Sequence, residues 1–162
     1  MSAAERPDPQ QFLSRHHRLA DLIVSDTAVA GGLDNMPPAG LIANLRRLAA
    51  VLDRVQELLG HPLAITSAYR SPALNALVGG VAGSQHTVGL AADFTCERFG
   101  PPITIARAID ASSIDFDQCI LEYGRWVHLA FADAPRRRVL SIYDPTAGYQ
   151  VGIWDETGNR VA

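Results

Sequence analysis

Lysine is absent from this 162-residue chain, and all 14 of its basic residues are arginine. Against 17 acidic residues they leave a formal charge of −3. A surface built to neutralise a phosphate backbone needs the opposite balance. The two short basic runs, Arg46-Arg47 and Arg136-Arg137-Arg138, do not supply one, so nucleic acid is excluded as an expected partner. Cysteine is almost absent. Cys96 and Cys119 lie far apart and neither belongs to a C-x-x-C pair, which excludes a disulfide framework. They read as small buried hydrophobes, with a single bridge between them left open. No run of 18 apolar residues occurs, so no membrane span is expected. Residues 1–11 are polar and proline-containing without an apolar stretch. No signal peptide is therefore expected, and the chain is expected in the cytoplasm as synthesised.

What is present is an ordinary globular balance, 48% hydrophobic and 19% charged, which argues against disorder throughout. A chain of this length buries roughly 70% of its unfolded surface without a disulfide or metal to hold the core. The expected organisation is a flexible start over residues 1–10 and a single domain over 11–162. Phe12, Leu19, Leu22 and Ile23 suggest a helix within 12–24. Leu41, Leu45, Leu48, Leu52, Val55 and Leu59 recur at spacings of 4, 3, 4, 3 and 4 and make one helical stripe, which Gly60 stops. Strands are expected at 63–67, 91–96, 116–122 and 126–131, the last two as a hairpin. A helix starts at Pro101-Pro102 and runs to about Ala111. Residues 69–83 read as turn, and alternation at Val139, Ser141 and Tyr143, then Val151 and Ile153, adds a strand or ribbon. This order implies an α+β fold, with helices packed on a small antiparallel sheet.

Two histidines stand out from five. His16-His17, beside Arg15 and Arg18, read as a solvated face, and His61 as a loop residue. His86 follows the polar Ser84-Gln85 and precedes Gly89, after which Ala91-Ala92-Asp93-Phe94 places a carboxylate in an apolar strand. A buried carboxylate requires a cation or several donors. His128, in Trp126-Val127-His128-Leu129-Ala130, is again polar in an apolar strand. Two histidines and one aspartate with an open fourth position make the ligand count of a catalytic zinc, which acidifies its bound water and polarises a carbonyl. By spacing alone, a core histidine and a capped aspartate are the more common explanations of such residues.

The segment Ser84-x-His86-x-x-Gly89-x-Ala91-x-Asp93, followed by Trp126-Val127-His128, resembles the zinc D-alanyl-D-alanine carboxypeptidase family. That family includes D-Ala-D-Ala dipeptidases and phage L-alanyl-D-glutamate endopeptidases. The upstream Ile65-Thr66-Ser67-Ala68-Tyr69-Arg70-Ser71-Pro72 resembles its strand-and-arginine element. The resemblance covers roughly residues 35–131. It implies the small antiparallel α+β fold shared with hedgehog-like and D-Ala-D-Ala-peptidase-like domains, a zinc cofactor, and His86, Asp93 and His128 as its ligands. It also implies that Arg70 stabilises the oxyanion or holds a substrate carboxylate, and that Ser84 bonds substrate near the metal. Gln85, Tyr69 and Trp126 are further candidates for substrate contact, though both aromatic rings suit a core equally. A guanidinium fits either carboxylate or oxyanion in a way an ammonium does not, and a structural salt bridge remains the alternative for Arg70.

Well-known members carry a carboxylate three residues before the last histidine, where this chain has Arg125. The nearest acid is Glu122, and hairpin parity decides whether it can serve. A three-residue connection, Tyr123-Gly124-Arg125, pairs Glu122 with Trp126 and puts Glu122 on the His128 face. A two-residue connection turns it away. The three-residue form is expected, with Glu122 as general base, Cys119 on the opposite face, and Asp115 and Asp117 as weaker candidates. The implied function is zinc-dependent hydrolysis of peptidoglycan stem peptides, by carboxypeptidase or endopeptidase action. Arg125 favours the alternative of a non-catalytic, zinc-containing wall-binding or phage structural module. The substrate of such a peptidase lies outside the membrane; an endolysin-like release would reconcile this with the expected lack of a signal peptide, and the export route stays open.

Overall fold

The computed structural model describes residues 5–162. Residues 1–4 of the expected flexible start lie outside them. The chain forms two compact units. One takes the residues up to Asp53 together with Ile65–Ala92, and the other takes Arg54–Ala64 with Asp93–Ala162.

In the first unit, α1 (Leu19–Leu22) and α2 (Asp26–Ala30) are single turns. Residues 12–18 do not continue a helix. They close instead into a loop by an antiparallel bridge between Phe12 and Arg18. The sparse apolar spacing here came from a loop pinned by long-range bonds. Asp53, which the helical spacing places off the apolar stripe, is buried. Its carboxylate accepts from Ser14 Oγ at 2.8 Å, the Arg15 and His16 N–H groups at 2.9 and 3.2 Å, and pairs with His17 Nδ1 at 2.7 Å. His17 is therefore buried, correcting the solvated-face reading for that residue. The long helix α3 (Ile42–Leu59) carries the expected stripe, with Leu45, Leu48, Leu52, Val55 and Leu59 all buried. Gly60 ends it at φ +71°, the left-handed conformation that favours glycine. Within the region expected as turn, Ser71 accepts from the Leu74 N–H and caps α4 (Pro72–Leu77).

In the second unit, α5 (Pro102–Asp110) packs against the hairpin of β3 (Gln118–Glu122) and β4 (Trp126–Ala130). Cys119, Leu121, Val127 and Leu129 share one face of that hairpin and are fully buried. Burial pushes the Cys119 thiol up to about 12, and the two cysteines are not bonded to each other. Cys96 sits with its sulfur 3.4 Å from the Pro62 carbonyl. Beyond the hairpin come β5 (Arg138–Ile142) and β6 (Gln150–Val151).

With β1 (Ala64–Ser67) and β2 (Ala91–Thr95), six strands bond in the order β1-β2-β4-β3-β5-β6. The sheet is mixed rather than small and antiparallel, because β5 runs parallel to β3. Alternating polarity marks a strand without marking its direction, and the segment 131–137 carries the chain past the start of β3. Arginines fasten that crossing. Arg136 forms a two-pronged pair with buried Asp117, with Nε to Oδ1 at 2.9 Å and Nη2 to Oδ2 at 2.8 Å. Arg137, at φ +52°, donates to the carbonyls of Asp110, Ser112 and Ile114 at the end of α5 and lies over the Phe116 ring. The basic run is thus a clasp for the fold, and Asp117 is paired rather than solvated.

Candidate metal centre

His86 is delivered by a 3₁₀ turn over Gln85–Val88. Ser84 Oγ caps it by accepting from the His86 N–H at 3.3 Å, and Gly89 ends it at φ +75°. A Cβ at Gly89 would stand 3.0 Å from the Leu45 side chain in a conformation already strained for other residues. The imidazole is buried, with Nδ1 2.6 Å from the Ala68 carbonyl. A carbonyl only accepts, so Nδ1 carries the proton, and Nε2 is the nitrogen that would meet a metal. That is the arrangement in which a backbone oxygen fixes a metal-binding tautomer.

Asp93 on β2 and His128 on β4 are both buried, and His128 Nδ1 lies 2.8 Å from Asp93 Oδ1. His86, Asp93 and His128 each bring one ligand atom to within 4.8 Å of the others. Two imidazole nitrogens and one carboxylate oxygen suit a borderline divalent ion and leave a coordination position for water or substrate. A metal fits this donor set.

The hairpin register pairs Glu122 with Trp126 and Ile120 with His128. This is the three-residue connection, turned at Tyr123 and Gly124, φ +56° and +65°. Ile120, Glu122, Trp126 and His128 therefore share one face. Glu122 is half-buried, and Trp126 packs its ring 5.6 Å from that of Tyr123. The Trp126 indole N–H is buried without a hydrogen-bond partner. Arg70 donates from Nε to Ser67 Oγ at 3.0 Å and from Nη1 to Asn75 Oδ1 at 3.3 Å, and its backbone N–H donates to the His86 carbonyl at 3.1 Å.

Tyr69 is 2% exposed and belongs to the core, where burial raises its hydroxyl above the ordinary phenol range. Its ring therefore packs rather than presenting an open substrate surface. Gln85 is half-buried and accepts the Leu90 N–H on its carbonyl.

The sequence reading missed Tyr149, which precedes β6. Burial raises its hydroxyl, and the negative charge of Glu122, the neighbouring Tyr123 and the charge of Asp93 raise it further. No spacing rule links this tyrosine to carboxylates 27 and 56 positions away; the pairings of β3 with β5 and of β5 with β6 bring it near.

Two histidines and one carboxylate, brought together from a 3₁₀ turn and two strands, are a donor set that metal-dependent hydrolases use. The family model for Peptidase M15 matches residues 15–130, and the chain belongs to that family of metallopeptidases. No curated protein matches the chain by sequence.

Proposed function

We propose that this protein is a zinc-dependent peptidase that hydrolyses the stem peptides of peptidoglycan, at the D-Ala-D-Ala terminus or at an internal bond. The convergence of His86, Asp93 and His128 within 4.8 Å carries the reading, supported by Glu122 on the His128 face. His86, Asp93 and His128 would hold the ion. When bound, zinc supplies a Lewis acid that polarises the scissile carbonyl and acidifies water. Glu122 takes a proton from the attacking water and returns it to the leaving amine, as a general base and then acid. Arg70, steadied by Ser67 and Asn75, donates to the developing oxyanion or to a substrate carboxylate. The hydroxyl proton of Ser84 is available to substrate while its oxygen caps the His86 turn. The proposed site of action is the cell wall.

Mass spectrometry of defined muropeptides, incubated with zinc-loaded protein, tests this. Loss of one alanine from a pentapeptide identifies a carboxypeptidase, and cleavage of a cross-linked dimer identifies an endopeptidase. No product from protein with confirmed zinc refutes the enzyme. It would favour a non-catalytic wall-binding module, the reading supported by Arg125 in the position where well-known relatives carry a carboxylate.

A further inference from the structure

The family match ends at residue 130, yet the sheet continues through β5 and β6. Register carries the site face across them. Glu122 pairs with Trp126 on one side and with Ile142 on the other. Leu140 pairs with Val151 and Ser141 with Gln150, so one further step sets Tyr149 opposite Ile142. Trp126, Glu122, Ile142 and Tyr149 thus form one row across four strands. His128, Ile120, Leu140 and Val151 form the next. Directly paired residues point to the same face. One row contains the proposed base and the other a metal ligand.

Ile120, Leu140 and Ile142 are buried in the middle of these rows, while Tyr149 and Val151 are 58% and 69% exposed at the end. Neighbouring strands lie about 4.8 Å apart, which sets Tyr149 roughly 10 Å from Glu122 along the row. Both side chains stand on this face, and the charges of Glu122 and Asp93 act on the phenol. Among the described residues the Tyr149 hydroxyl makes no hydrogen bond.

We propose that Tyr149 is a substrate-binding residue of this site, its hydroxyl donating to a backbone carbonyl of a peptide laid across the Glu122 row. The inference rests on the peptidase reading and adds a substrate contact from a segment beyond the matched region. A phenol at the exposed end of an apolar row selects an uncharged residue there, since a second carboxylate would face Glu122 across it.

The test uses zinc-loaded protein and a synthetic stem pentapeptide ending in D-Ala-D-Ala, beside a cross-linked dimer. Tyr149→Phe should raise KM about 3- to 10-fold, the worth of one neutral hydrogen bond, with kcat nearly constant and zinc content unchanged. Titration calorimetry on the Glu122→Gln background should show the same weakening of peptide binding, a readout independent of turnover. Tyr149→Ala should weaken both further. Wild-type cleavage with both Tyr149 variants at wild-type KM and affinity overturns the role of Tyr149 and leaves the peptidase standing. Wild-type protein that holds zinc but neither binds nor cleaves the peptides overturns the peptidase reading and this inference with it.

Discussion

Two buried histidine–aspartate pairs occur in this chain with nearly the same geometry. His17 Nδ1 lies 2.7 Å from Asp53 Oδ1, and His128 Nδ1 lies 2.8 Å from Asp93 Oδ1, with all four side chains close to one-tenth exposed or less. Their surroundings differ. Asp53 gathers a hydroxyl and two backbone N–H groups of residues 14–16 besides its histidine, so its charge is spread over one loop. The Asp93 pair has His86 beside it as a third donor. A histidine–carboxylate contact is therefore no mark of a metal centre in itself. The third donor, His86, with its tautomer set from behind by a backbone carbonyl, makes the difference.

The sharpest way to break this contrast is to remove each carboxylate. Asp93→Ala or His128→Ala should abolish both zinc binding and turnover, while Asp53→Ala should retain one zinc per chain. Plasma mass spectrometry on dialysed protein reads both, and a folded Asp53 variant that loses its metal would collapse the distinction. Next in size, Glu122→Gln should lower kcat by about 10²- to 10⁴-fold with zinc still bound; activity near wild type would remove Glu122 from the mechanism. Asp53→Ala should cost about 3–5 kcal/mol of stability, because it leaves a buried imidazole and several N–H donors without their partner. Urea unfolding measures that loss.

The smallest effect concerns the clasp. Arg136 holds the Asp117 carboxyl below the usual carboxylate range, chiefly through their hydrogen bonds and against the opposing effect of burial. A folded-state value below the unfolded one contributes stability above the unfolded pKa of about 3.9, and loses it as pH falls through the folded value. The difference in Tm between wild type and Arg136→Ala should therefore be greatest near neutral pH and shrink below pH ~4. A difference unchanged by acid would show that packing, not charge, fastens the crossing.

Local pattern made much of this molecule legible. The Leu41–Leu59 spacing gave α3 because one helix face is buried. Hairpin parity put Glu122 with His128 because strands alternate strictly. Asp93 and His128 stood out as polar residues inside apolar strands, and the resemblance of the Ser84–Asp93 motif joined His86, on its polar turn, to them. The missed features depend on distant partners. Asp53 looks like a surface residue of α3 until the loop 36–39 positions upstream folds over it. The parallel β5 needs the arginine-fastened crossing, and no alternation encodes strand direction. Tyr149 reaches the site only through two successive strand pairings.

The setting of His86 also determines when order is lost and gained. Its ring is tied to the Ala68 carbonyl, and its own carbonyl receives the Arg70 N–H. Ala68 thus holds the ring and Arg70 the backbone of His86, both from one segment. The rotamer freedom of the imidazole disappears as the chain folds, so an arriving ion meets a ligand already at rest, and little further entropy is lost in seating it.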